Sequence, residues 1–212
     1  FTAFKIFISL FGATSLKWSL KSKAQGGLKF GIKVGIHASG KDINELIQYC
    51  SKIGVDQVCL ACSSIRGYDE RGHPDQDALR KVKGKLEDAG ISVPVMIISK
   101  WPSPEVLLGK PEAREELDNL CRTLECLGKA SVGTAVLYLQ LDRPKERAEE
   151  ALYWERLLEF FRRLMDVAEG SQVKMANHVY YLPHKLVRNA EGLKRILEAV
   201  PSPYNGVTYC PG

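Results

Sequence analysis

The chain has 212 residues, of which 45% are hydrophobic and 26% are charged, an ordinary globular composition with enough apolar residues to bury one sizeable core. The formal net charge is +5, but residues 1–29 carry five lysines and no acidic residue, so the remainder of the chain is electrically balanced. This balance argues against a nucleic-acid partner, and the six scattered cysteines argue against a disulfide framework.

The first 29 residues differ from the rest. Residues 4–16 form an apolar stretch of about signal-peptide length, too short to span a bilayer comfortably, and a basic amphipathic tail follows. This pattern indicates either the remnant of an export signal or an N-terminal helix that packs across the domain. We therefore expect a signal-like or accessory segment over 1–29 and the main domain over 30–212. The expected location is cytoplasmic, or periplasmic if the segment is a signal remnant.

From residue 30 onward, short apolar runs alternate with longer amphipathic segments. The apolar runs predict six strands, at residues 33–37, 55–62, 91–98, 132–139, 173–178 and 207–210. The segments between them have helical spacing of apolar residues and predict five helices, at residues 42–53, 78–89, 113–127, 147–168 and 190–200. Gly54 is expected to end the first of these helices.

Alternating strands and helices of this length predict βαβ units and a parallel sheet, hence an α/β protein. Two architectures fit: a (β/α)8 TIM barrel with about six of its eight units present, and a doubly wound open sheet. The open sheet predicts a Gly-x-Gly-x-x-Gly phosphate loop after the first strand, and residues 35–40 do not supply it. The barrel is therefore favoured. Since two units are lacking and no Met stands at position 1, we expect a partial chain.

Three potential metal ligands lie at predicted C-terminal strand ends, where parallel α/β folds place their active sites. They are His37, His178 and Cys210. His37 is also a candidate for binding a substrate. Taken singly, each also has a purely structural interpretation, as a hydrogen-bonded histidine or a small buried thiol. A Cys-x-x-Cys pair, Cys59 and Cys62, lies in an apolar run, where a strand would point the two thiols to opposite faces, so it does not predict a zinc or redox site.

The loop after the second strand, residues 64–75, mixes both charge signs with an aromatic residue and two glycines. Arg66 or Arg71 is a candidate for binding the carboxylate of a polyhydroxy acid, because a guanidinium matches a carboxylate bidentately. The alternative is a solvated loop in which the arginines pair with its own aspartates.

Three stretches resemble the mannonate dehydratase family of the xylose-isomerase-like barrels. They are residues 67–72 (Gly-Tyr-Asp-Glu-Arg-Gly), residues 119–123 (Asn-Leu-Cys-Arg-Thr) and residues 201–212 (Pro-Ser-Pro-Tyr-Asn-Gly-Val-Thr-Tyr-Cys-Pro-Gly). The last stretch is the most specific, because it is similar to a family pattern Asn-Gly-Leu-Thr-Phe-Cys-x-Gly. The resemblance runs from about Lys33 to the end of the chain.

The resemblance implies a lyase of hexuronate catabolism that removes water from D-mannonate to give 2-dehydro-3-deoxy-D-gluconate. It also implies a divalent metal, Mn²⁺ or Fe²⁺, with Cys210 and His178 as ligands; an imidazole and thiolate set suits iron or zinc at least as well as manganese. The expected partner is a small sugar acid, and a homo-oligomer is left open.

One departure from the family pattern follows the histidine. The family continues His-Pro-Asp-Asp-Pro-Pro, whereas residues 178–183 read His-Val-Tyr-Tyr-Leu-Pro and lack both carboxylates. No residue is therefore assigned as the catalytic acid or base. Two other functions stay open, namely a sugar or sugar-phosphate isomerase or epimerase of the same superfamily and a non-catalytic exported carbohydrate-binding barrel.

Overall fold

A computed structural model describes residues 6–7, 35–39, 42–98 and 102–209. In chain order its strands are β1 (Ile6–Phe7), β2 (Gly35–Ala38), β3 (Gln57–Ala61), β4 (Ser92–Ile98), β5 (Thr134–Leu139), β6 (Lys174–Val179) and β7 (Asn205–Val207). Its α-helices are α1 (Ile43–Ile53), α2 (Tyr68–Arg71), α3 (Gln76–Asp88), α4 (Pro104–Leu108), α5 (Glu112–Lys129), α6 (Glu150–Gly170) and α7 (Ala190–Ala199).

The strands form one sheet in which each strand pairs with the next strand in sequence, from β1 to β7. Strands β2 to β7 are parallel to their neighbours, and only β1 runs antiparallel, to β2. A doubly wound sheet reverses its strand order at a switch point, whereas a barrel winds in one direction. The predicted succession of βα units is therefore confirmed, and the open doubly wound alternative was wrong.

Side-chain caps determine where α1 and α3 begin, and the bounds of α1 agree with the prediction. The carboxylate of Asp42 accepts hydrogen bonds from the N–H groups of Asn44 and Glu45, and Asp75 caps α3 in the same way. Helix α1 ends at Gly54, whose positive φ of 73° suits a residue without Cβ. The short helix α2 lies in the segment 64–75, which was predicted as a loop, and α4 lies between the third predicted strand and the third predicted helix, where no element was predicted.

The last strand differs from its prediction. Strand β7 covers Asn205–Val207 and not 207–210, because hydrogen bonds from Asn177 to Asn205 and Gly206 start the pairing with β6 earlier. Thr208 and Tyr209 follow the strand, and Cys210 lies outside the described residues.

The sheet has two apolar faces. The large core lies on the face covered by the helices, and its fully buried side chains include Leu60, Met96, Leu137 and Phe161. A smaller cluster on the opposite face contains Ile97, Val136 and Ala176, with Cys59, Val95 and Tyr138 packed against it. In a barrel the helix-free face is the interior, so side chains on this second face point toward the barrel axis.

Only two residues of the predicted N-terminal segment are described. Ile6 and Phe7 pair with Ile36 and Gly35, and the remainder of residues 1–29 lies outside the described part of the chain. Within the described part, no helix combines the length and the apolar composition needed to cross a bilayer.

Candidate active site

His178 lies near the C-terminal end of β6 and is 7% exposed. Its lateral partner on β5 is Tyr138, and residues two apart on a strand share a face. His178 and Tyr138 therefore lie on the face of Ala176 and Val136, the interior face. The prediction that this histidine lies at the C-terminal end of a strand agrees with its position.

Three aromatic rings pack together at this position. The ring centroid of Tyr138 lies 4.7 Å from that of His178, with the planes tilted by 41°. Tyr180 contacts His178 edge to face at 5.6 Å and lies 5.7 Å from Tyr138. These separations fall in the range of favourable aromatic pairs, so the three side chains form one packed unit, here called the aromatic cluster.

Two loops form a rim around the aromatic cluster. Gln140, directly after β5, donates a hydrogen bond of 3.0 Å to the hydroxyl of Tyr180, directly after β6. Lys185 binds the carbonyl of Gln140 at 2.8 Å and the carboxylate of Asp142 at 2.7 Å. These hydrogen bonds join the loops that follow β5 and β6 at the C-terminal edge of the sheet.

The chain leading to Cys210 runs beside β6. The N–H of Thr208 donates to the carbonyl of Asn177 over 2.9 Å, and its hydroxyl donates to the carbonyl of Ala176 over 3.2 Å. Cys210 itself is not among the described residues, so its predicted role as a ligand stays a prediction.

His37 lies within β2 and is half-buried; it pairs laterally with Cys59, so it is also on the interior face. Loss of hydration lowers the pKa of His37 below its usual value, which favours the neutral imidazole. Strands β3, β4 and β5 separate it from His178 along the sheet. Its predicted contact with substrate stays a prediction.

The two candidate arginines share one aspartate. Arg71 donates to the carboxylate of Asp75 over 3.1 Å, and Arg66 lies 3.9 Å from the same carboxylate. A backbone hydrogen bond from Ala78 and the hydrogen bond from Arg71 hold the pKa of Asp75 below its usual value. The internal pairing that the sequence offered as the alternative is present, and binding of a substrate carboxylate by either arginine stays a prediction.

The Cys-x-x-Cys pair lies in an apolar environment. Cys59 lies on the interior face of β3, and Cys62 is fully buried in a short 3₁₀ turn. Burial raises the pKa of Cys59 to about 12 and raises the pKa of Cys62 as well. Neither thiol is activated, because it is the thiolate that attacks electrophiles and binds metals.

A metal ion fits the described residues only in part. Among them, no group of three or more His, Cys, Asp or Glu side chains is placed to hold an ion. His178 supplies one imidazole at the C-terminal end of a parallel strand, a usual ligand type and position for a catalytic metal. Any complete ligand set includes residues outside the described part, of which Cys210 is the candidate.

The sequence prediction missed Tyr138, Tyr180 and Gln140. The position of Tyr180 could have been predicted from the sequence. It lies two residues after His178, and residues two apart in extended chain lie on the same face. The contact of Tyr138 with His178 could not have been predicted, since it depends on the register between β5 and β6.

The D-mannonate dehydratase (UxuA) family model matches residues 137–212, which include β6 and β7. The mannonate dehydratase of Thermotoga maritima is 25% identical over 218 aligned positions, which cover 88% of this chain and 60% of that protein. The chain thus spans about 60% of the length of this curated relative.

Solved structures have the same fold. The mannonate dehydratase of Streptococcus suis serotype 2 superposes with a TM-score of 0.65 at 17% identity, over 82% of this chain and 63% of the other. The D-psicose 3-epimerase of Clostridium cellulolyticum H10, solved with D-tagatose, gives a TM-score of 0.64 at 21% identity, over 82% and 61%. These superpositions establish the fold, a xylose-isomerase-like (β/α) barrel, and the sequence comparisons confirm that the chain resembles the mannonate dehydratase family.

Proposed function

We propose that the protein is a metal-dependent hydro-lyase that converts D-mannonate to 2-dehydro-3-deoxy-D-gluconate. The observation that carries this proposal is the match of the D-mannonate dehydratase family over residues 137–212, which contain both predicted metal ligands. The position of His178 on the interior face, near the end of β6, supports it.

In this proposal the metal is Mn²⁺ or Fe²⁺, held by the imidazole of His178 and the thiolate of Cys210. When bound, it would act as a Lewis acid on the oxygens of the substrate. The protein's own contribution at His178 is to hold the imidazole in an aromatic, largely water-free setting. Arg66 and Arg71 are the candidates for binding the substrate carboxylate, which would require an arginine to exchange Asp75 for the substrate.

The test incubates the purified protein with D-mannonate and Mn²⁺ or Fe²⁺ and follows formation of the 2-keto acid. His178→Ala should lower kcat/KM by about a hundredfold or more, as expected for a lost metal ligand. His184→Ala is the matched control, since His184 lies five residues after the end of β6 and its side chain is 61% exposed. The proposal fails if the metal-loaded protein gives no keto acid, or if the two variants behave alike.

A second candidate is a sugar isomerase or epimerase, because Tyr180 and Tyr181 stand where the dehydratase pattern has its two carboxylates. This chemistry relocates a proton without loss of water. The mass of the product separates the two functions, since dehydration lowers it by one water and isomerisation leaves it unchanged.

A further inference from the structure

We infer that Tyr180 is a positioning residue for His178. The ring of Tyr180, together with that of Tyr138, fixes the plane of the His178 imidazole. This inference rests on the proposed role of His178 as a metal ligand. It gives residues 179–183, which lack the two carboxylates of the family pattern, the function of holding the His178 imidazole in place.

The aromatic cluster restricts rotation of the imidazole. Tyr138 meets the imidazole at 4.7 Å with the planes tilted by 41°, and Tyr180 meets it at 5.6 Å with an interplanar angle of 61°. The two tyrosine rings also contact each other, at 5.7 Å. An imidazole that rotates about its Cβ–Cγ bond must therefore give up favourable contacts with both rings.

Tyr180 is itself anchored. Its hydroxyl accepts a hydrogen bond from Nε2 of Gln140 over 3.0 Å, and the carbonyl of Gln140 is bound by Lys185. The ring of Tyr180 is therefore held at both ends, by the backbone following β6 and by the loop following β5. A ring held in this way can restrict its neighbour.

A metal-binding histidine needs a fixed orientation, because its ligating nitrogen must point at the ion. Contacts from residues around the ligand commonly fix the ring for this purpose. Residues 179–183 read Val-Tyr-Tyr-Leu-Pro and offer no carboxylate for this task. Ring contacts from Tyr138 and Tyr180 supply the restraint in this chain.

The experiment measures the affinity of the purified protein for Co²⁺ by calorimetry, together with the visible absorption of bound Co²⁺. Tyr180→Ala should weaken binding about tenfold and change the absorption spectrum, as substitutions around a metal ligand do. Tyr181→Ala, one residue away and 60% exposed, is the matched control and should leave both unchanged.

Two milder variants keep the test decisive if Tyr180→Ala fails to fold. Tyr180→Phe keeps the ring and loses only the hydrogen bond from Gln140. Gln140→Ala removes the same hydrogen bond by deleting its donor, which lies on an exposed residue. Each should weaken Co²⁺ binding about threefold, the usual range for one hydrogen bond. Loss of Co²⁺ binding in Tyr180→Phe to the extent seen in His178→Ala would indicate a direct role for the hydroxyl and overturn the inference.

His178→Ala separates failure of the inference from failure of the proposed function. If His178→Ala abolishes Co²⁺ binding while every Tyr180 and Gln140 variant binds as the control does, the positioning role is wrong and the metal role stands. If His178→Ala binds Co²⁺ as well as the unmodified protein does, the proposed metal role and the positioning role fall together.

Discussion

The side-chain amide of Asn177 donates a hydrogen bond of 2.9 Å to Oδ1 of Asn205, and a second of 2.9 Å to the carbonyl of Gly206. Asn177 is fully buried, and Asn205 in turn donates to the carbonyl of Val200. These bonds join β6 to β7 and thereby set the path of the chain toward Thr208 and Cys210.

Asn177→Ala should lower the free energy of unfolding by about 2 kcal/mol, because it removes two part-buried hydrogen bonds that a fully buried side chain donates. Urea denaturation followed by circular dichroism measures the change. Asn44→Ala, at an exposed position of α1, should alter stability by less than about 0.5 kcal/mol. Equal midpoints for the two variants would contradict the role given to Asn177.

The ion pair between Arg143 and Glu150 should make stability depend on pH. A hydrogen bond from the Arg143 side chain, 3.1 Å from Nε to Oε2, lowers the pKa of Glu150 below its usual 4.5. The folded state therefore gains stability from this pair above about pH 4.5, and the gain is lost as pH falls through the depressed pKa of the folded state.

Arg143→Ala should accordingly cost about 0.5 kcal/mol at pH 7, a value reduced by solvent screening, and nothing once Glu150 is protonated. Denaturation curves at pH 7 and at a pH below the folded-state pKa of Glu150 measure both values. Arg162→Ala, which loses an exposed pair with Glu159, is the control and should change little at either pH. A cost that persists at the lower pH, where Glu150 is protonated, would show that Arg143 acts through packing instead of charge.

The desolvation of the half-buried Cys59 and the full burial of Cys62 predict slow reaction of both thiols with alkylating reagents. A pKa of about 12 leaves about a thousandfold less thiolate at pH 8 than a thiol of pKa 9 would have. Iodoacetamide should therefore label Cys59 and Cys62 only after unfolding, as read by peptide mass spectrometry in native buffer and in guanidinium chloride. Rapid labelling of either thiol in native buffer, or a disulfide between them, would reopen a redox or zinc role for the pair.

The fold was predictable where local chemistry determines it. Asp42 and Gly54 bound α1 through a side-chain cap and a positive φ, both of which can be recognised in the sequence. The start of β7 was not predictable, because Asn205 pairs with Asn177, 28 residues away in the sequence. Bonds over such a separation depend on the completed sheet.

The same distinction applies to the site. His178 was predicted from its place at a strand end, which periodicity alone provides. Its contact with Tyr138 depends on the register of β5 against β6, which a single sequence does not reveal. The aromatic cluster therefore emerged only from the structure.

Two helical glycines, one inside α3 and one in the last turn of α5, should respond oppositely to alanine. A Cβ added at Gly84 in α3 would meet open space among the described residues, with no neighbouring atom within 4 Å. A Cβ at Gly128 in α5 would instead collide with the carbonyl oxygen of Ser171 and lie 3.1 Å from its Cβ. Alanine is the better helix former by about 1 kcal/mol, so Gly84→Ala should stabilise the protein by about that amount.

Gly128→Ala should destabilise the protein by about 2 kcal/mol, because the turn at Ser171, directly after α6, must move away from α5. Thermal unfolding measures both variants against the unmodified protein, with expected shifts in Tm of about +3 °C for Gly84→Ala and about −6 °C for Gly128→Ala. A gain in Tm for Gly128→Ala would mean that α5 and the turn after α6 are not packed closely at this point.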